Sequence, residues 1–229
     1  GFKVHNFIPG IPGLEMKDMD PFILLDYNAK MEVTPSDTPR GVGVHPHRGF
    51  ETVTIAYNGK VQHHDSAGNG GIIGTGDVQW MTAASGVLHK EYYEKEWSRQ
   101  GGTFQMVQLW TNLPKADKMS APGYQAIPNE TMGRYVLPGN SGFVEVIAGK
   151  YNDVEGPAHT HSPISLMNAR LNLGGKATFS FPENYNTALL VVQGSILANE
   201  IDVPENNFVK FENKGEVFTV EATEQDTVV

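Results

Sequence analysis

The sequence predicts an all-β protein folded as two successive barrels or sandwiches of short strands. Three observations carry that expectation. Segments rich in β-branched and aromatic residues recur along the chain, glycine- and asparagine-marked turns separate them, and no long stretch repeats apolar residues at a helical period.

Taken in order, the strand segments are Thr52 to Tyr57, Gly71 to Ile73, Thr103 to Trp110, Phe143 to Ala148 and Ser165 to Leu173. Turn signals punctuate them at Asn58-Gly59, Gly74-Thr75-Gly76-Asp77, Pro138-Gly139-Asn140 and Asn213-Lys214-Gly215. Only Ser98 to Gly102 and Lys115 to Met119 read as helical or irregular connections. A change in composition near Pro128 to Pro138 divides the chain into residues 1–130 and 131–229, because after His89 only His159 and His161 remain of the histidines. Each half carries one His-x-His, at His45/His47 and at His159/His161, which suggests a duplicated and diverged unit.

Composition narrows the function. With 39% hydrophobic and 19% charged residues the chain belongs with globular proteins, and no apolar run is long enough for a membrane-spanning helix. A formal net charge of −9 opposes direct binding to nucleic acid, which needs a basic surface to displace counterions. The absence of cysteine excludes thiolate ligation, so a tight metal site must be built from His and carboxylate. It also fits a cytoplasmic location. The chain begins on Gly1 without a leader-like segment and ends on the apolar pair Val228-Val229, which reads as an incomplete C-terminus.

Residues i and i+2 of a strand point to the same face, so His45 and His47 can both project into a barrel. His89-Lys90-Glu91 repeats that spacing and offers a third imidazole with a carboxylate. Three neutral imidazoles and one carboxylate suit a borderline first-row dication and leave positions open for substrate or oxygen. A single His-x-His is more often a pair of polar strand residues; the downstream His-x-Glu is what raises this one above that reading.

These residues resemble a known family. The run Gly43-Val44-His45-Pro46-His47-Arg48-Gly49-Phe50-Glu51-Thr52 is similar to the first cupin motif as pirins write it. Gly86-Val87-Leu88-His89-Lys90-Glu91 is similar to their second, and Gln79-Trp80-Met81-Thr82 and Gln108-Leu109-Trp110-Thr111-Asn112 extend the likeness. The resemblance implies two tandem cupin barrels of the double-stranded β-helix or jelly-roll type, the first holding metal and the second degenerate and without it. It also implies a ligand set of His45, His47, His89 and Glu91, with iron(II) as the usual metal and Ni, Cu, Mn, Co or Zn able to occupy the same donors. Glu51, which shares parity with His45 and His47, competes as the carboxylate and ranks behind Glu91; either could serve as a catalytic base.

Other residues weigh less. One of His63 and His64 faces inward by alternation, with pocket contact and a solvated pair equally open. His159 and His161 lack a third histidine to complete a site. Trp80, Met81, Phe50, Phe104, Met106 and Trp110 either line a cavity for an aromatic ligand or are simply core. Gln79, Gln105 and Gln108 are inward-facing polar candidates, and Glu94 and Glu96 read as a solvated loop. The resemblance implies a dioxygenase that opens quercetin-like flavonols with O2; the alternative is an iron-binding, redox-responsive regulator acting through protein contacts.

Overall fold

The structure is a computed structural model that describes residues 2–229. The chain divides into two compact units, the first ending at Thr131 and the second running from Met132 to Val229. Both are built almost entirely of antiparallel strands, as two cupin domains.

In the first unit the strands are β1 (His5–Ile8), β2 (Phe22–Val33), β3 (Gly41–His47), β4 (Phe50–Asn58), β5 (Val61–Asp65), β6 (Gly70–Ile73), β7 (Val78–Thr82) and β8 (Val87–Tyr93). A short helix α1 (Lys95–Gln100) follows, then β9 (Gly102–Asn112) and β10 (Gly123–Ile127). A six-stranded sheet, ordered β1-β2-β9-β4-β7-β10, faces a four-stranded sheet, ordered β3-β8-β5-β6. The two inner faces close one end with apolar packing: Val33, Ala56, Val61, Ile73, Tyr93, Phe104 and Met106 form a buried cluster. Polar residues occupy the other part of the interior, and the functional interest lies there.

Local chemistry explains the turns that set this frame. Gly59 sits at φ 91° after β4, and a Cβ there would meet the Phe104 ring at 2.6 Å, so only glycine fits the expected Asn58-Gly59 turn. Glu94 caps α1: its carboxylate accepts the backbone N–H of Glu96 at 3.0 Å and of Trp97 at 2.8 Å. Glu94 is therefore a helix cap and not part of a solvated loop. Glu96 is exposed and pairs with Arg99 at 2.8 Å. The other expected helical or irregular connection, Lys115 to Met119, is irregular and forms turns.

The second unit contains β11 (Gly133–Leu137), β12 (Gly142–Ala148), β13 (Lys150–Tyr151), β14 (Val154–Glu155), β15 (Leu166–Leu171) and β16 (Lys176–Ser180). It continues with β17 (Ala188–Leu190), β18 (Ile196–Ala198), β19 (Ile201–Val203), β20 (Phe208–Lys210), β21 (Val217–Ala222) and β22 (Thr227–Val228). Its main sheets run β11-β12-β15-β22 and β16-β21-β18-β19, around a core that includes Val144, Val146, Leu171, Phe179, Val191 and Val220. All five strand segments expected from the sequence are present, with no end shifted by more than two residues. His159 and His161 lie in an exposed segment without regular structure before β15, so the second His-x-His is not part of a strand.

Candidate metal centre

The site begins with a register fault. β3 and β8 pair with Val42 opposite Glu91 and His45 opposite His89, so three residues of β3 advance against two of β8. A bulge of this kind re-aims the side chains that follow it. Here it sets His45 directly across from His89 and brings the Gly43 carbonyl within 2.7 Å of His45 Nδ1. Nδ1 must donate to that oxygen, which leaves the lone pair of His45 Nε2 facing the interior.

His47, two residues on, and His89 add their Nε2 atoms to the same point. The three nitrogens form a triangle with edges of 3.0 Å (His45 to His47), 2.9 Å (His45 to His89) and 2.8 Å (His47 to His89). Imidazole binds first-row dications at about 2.0–2.1 Å, so donors on one face of an octahedron stand about 2.9 Å apart and donors of a tetrahedron about 3.4 Å apart. The observed triangle matches the octahedral face. Among the described residues these three are the His, Cys, Asp or Glu donors that gather within 4.8 Å of one another.

Electrostatics agree with that fit. Burial, and then the neighbouring imidazoles, push His47 down to about 4 and His89 down to about 3. The rings are therefore neutral at ordinary pH, as a metal ligand must be. A cation at the focus of the three nitrogens would be held by their lone pairs.

Glu91 lies two residues beyond His89 on the same face, almost completely buried. Its carboxylate is not in the 4.8 Å group; both oxygens accept from Gln108 Nε2 instead, at 3.0 and 3.2 Å. Burial raises its pKa, opposed by the Gln108 hydrogen bonds, the nearby His45 ring and the Thr54 hydroxyl. Glu51 stands elsewhere. The Arg48-Gly49 turn, with Gly49 at φ 79°, intervenes between β3 and β4, so parity does not carry across it. Thr54 reaches toward Glu91 and Gln108, and alternation sends Glu51 to the opposite face of β4, where its carboxylate accepts the Thr82 hydroxyl at 2.7 Å.

Of the adjacent histidines, His63 is the inward one: it is 1% exposed, lies opposite Glu91 and packs its ring 4.7 Å from Tyr124. His64 is exposed and stacks on Tyr92. Phe50 and Trp110 stack at 4.5 Å and each meets the His47 ring edge-on at 5.1 Å. Gln108 faces the site, whereas Gln105 turns away to Tyr27 Oη at 2.8 Å. Sequence reasoning listed the three glutamines together and missed which one holds Glu91. Strand parity separates Gln105 from Gln108, and that signal was available.

Comparison with known proteins decides the family. The pirin family model matches residues 1–111. A Pseudomonas aeruginosa protein named "Putative quercetin 2,3-dioxygenase PA3240" is 33% identical over 217 residues, covering 90% of this chain and 73% of its own length. The chain belongs to the pirin family. A second Pseudomonas aeruginosa pirin relative, "Putative quercetin 2,3-dioxygenase PA2418", is 48% identical over 82% of this chain and 65% of its own. The chain spans 57 to 65% of the length of the first three curated relatives it matches. A crystal structure of quercetin 2,3-dioxygenase from Acinetobacter baumannii superposes with a TM-score of 0.92 at 42% identity, covering this whole chain and 79% of that one. The bacterial pirin YhhW of Escherichia coli, solved with nickel(II), shares the fold at a TM-score of 0.74 and 18% identity over 99% of this chain and 86% of its own. Among the described residues no helix of this pirin is long and apolar enough to cross a membrane.

Proposed function

We propose that this pirin is an iron-dependent dioxygenase that opens the heterocycle of a quercetin-type flavonol, or a related aromatic substrate, with O2. The observation that carries the reading is the triangle of imidazole nitrogens with the edge length of an octahedral face, beside a buried carboxylate. His45, His47 and His89 would hold the metal, with Glu91 as the fourth ligand. A redox-active dication held there supplies a point of attachment for the deprotonated 3-hydroxyl and a path for an electron toward oxygen.

The chain's own residues do the rest. Glu91, whose pKa is raised by burial, is suited to take the hydroxyl proton, and Gln108 and Thr54 orient its carboxylate for that transfer. The stacked Phe50 and Trp110 rings beside His47 give an aromatic substrate an apolar surface to lie against. Gly43 fixes the tautomer of His45 through its carbonyl. Glu51, on the outer face of β4, supports the strand through Thr82 and has no part in the proton transfer. Nickel, copper, manganese, cobalt and zinc compete for the same donors, so the metal found after purification does not identify the working one.

An oxygen electrode tests the reading. The iron-loaded protein should consume oxygen with quercetin, and the zinc-loaded form and iron-treated His47→Ala should not. Equal uptake by all three would reduce the reaction to flavonol autoxidation, and the regulatory reading would then account better for the site.

A further inference from the structure

Glu91 is held in an unusual way for a carboxylate beside a cation site. The partners of its carboxylate are the Gln108 amide, which reaches both oxygens at 3.0 and 3.2 Å, and the Thr54 hydroxyl, both uncharged. The amide comes from β9 in the facing sheet and meets Glu91 across the interior. Because one nitrogen engages both oxygens, it restricts rotation of the carboxylate as well as its position.

A neighbouring residue shows that this engagement is selective. Gln79 and Gln108 both lie opposite Thr54 in the register and so share its face of the sheet. Gln79 is fully buried with neither amide atom hydrogen-bonded, whereas Gln108 is committed to Glu91. Backbone alternation places Glu91 on the same face as His89, yet the carboxylate stays outside the nitrogen cluster. The hydrogen bonds to Gln108 are what occupy it.

We propose that Gln108 is a positioning residue that latches Glu91 away from the three-histidine face, so that Glu91 serves as an exchangeable fourth ligand and not a permanent one. The proposal rests on the reading of Glu91 as that fourth ligand. An exchangeable carboxylate has two states to serve, bound to the cation or held by Gln108. Removing the amide should bias it toward the cation. A hydrogen bond to a charged group contributes enough that its loss should slow metal release by about ten-fold.

Cobalt(II) loading of the whole chain tests this without reference to turnover, by release into excess chelator and by the visible absorption band, which weakens as coordination rises. Gln108→Met should release cobalt about ten-fold more slowly than the parent and show a weaker band. Thr54→Val, which removes the second donor, should move both readouts the same way by less, and it carries the test if circular dichroism shows Gln108→Met unfolded. Unchanged or faster release in the folded variant overturns the latch. Glu91→Gln separates the two layers of argument. If it speeds cobalt release while Gln108→Met does nothing, the latch alone fails; if it leaves release unchanged, Glu91 is not a ligand and both readings fall.

Discussion

His45-Pro46-His47 and His159-Thr160-His161 have the same spacing, and the fold uses them in opposite ways. The first pair ends β3, behind a bulge that aligns it with His89 on β8, and its ring nitrogens come within 3.0 Å of each other and of that third imidazole. The second pair lies on an exposed stretch outside any strand. A two-residue spacing places two side chains on one face only if the backbone is extended and paired. What distinguishes the halves is therefore the strand context and the third donor, not the dipeptide.

The largest test of that contrast replaces histidines in each half. His47→Ala should lower metal affinity by more than about 100-fold, since even outer partners of metal ligands are worth 10 to 100-fold. The double variant His159→Ala, His161→Ala should keep one equivalent of metal per chain through dialysis. Elemental analysis reads both. Retention by the first variant with loss from the second would invert the comparison.

Acid should expose the same contrast in the metal-free protein. His47, His63 and His89 are pushed down to about 4, 4 and 3, mainly by burial, from an ordinary value of 6.5. Between those values the unfolded chain binds more protons than the folded one, so stability is present above pH 6.5 and is lost as pH falls toward 4 and 3. Glu91, raised by burial, acts in the other direction, one group against three. Thermal melting of the metal-free protein should therefore show a falling melting temperature from pH 6.5 downward. The His159→Ala, His161→Ala variant should follow the parent profile and His89→Leu should flatten it; a parent profile already flat over this range would contradict the burial argument.

Much of this was legible in the sequence because strands announce themselves by alternation and glycine turns. The ligand histidines follow from i and i+2 spacing on segments that do form strands, and Gly49, Gly59 and their neighbours mark where the chain reverses. Two things were hidden. Parity does not survive a turn, so Glu51 seemed to share a face with His47 although Gly49 lies between them. The bulge at Gly43 and Val44, which sets His45 opposite His89, leaves no mark beyond a glycine, because its cause is the pairing of β3 with a strand more than forty residues away. Long-range register of that kind also decides that Gln108 meets Glu91 while Gln79 meets nothing.

The smallest expected effect separates the two carboxylates within the first unit. Glu91 extends from β8 on the histidine face, and Glu51 faces the other side of β4, so a neutral replacement should distinguish a ligand from a strand support. Glu91→Gln keeps shape and burial but removes the charge that attracts a dication, and it should weaken metal retention by about ten-fold, within the range known for close partners of a metal. Glu51→Gln leaves an amide able to accept from Thr82 on the far face and should leave retention within about two-fold of the parent, since a remote neutral change is felt little by the site. Metal content after a fixed chelator challenge reads both variants on one scale. If instead Glu51→Gln loses the metal and Glu91→Gln keeps it, the opposite-face assignment of Glu51 is wrong, and with it the claim that the Arg48-Gly49 turn breaks the parity of the first motif.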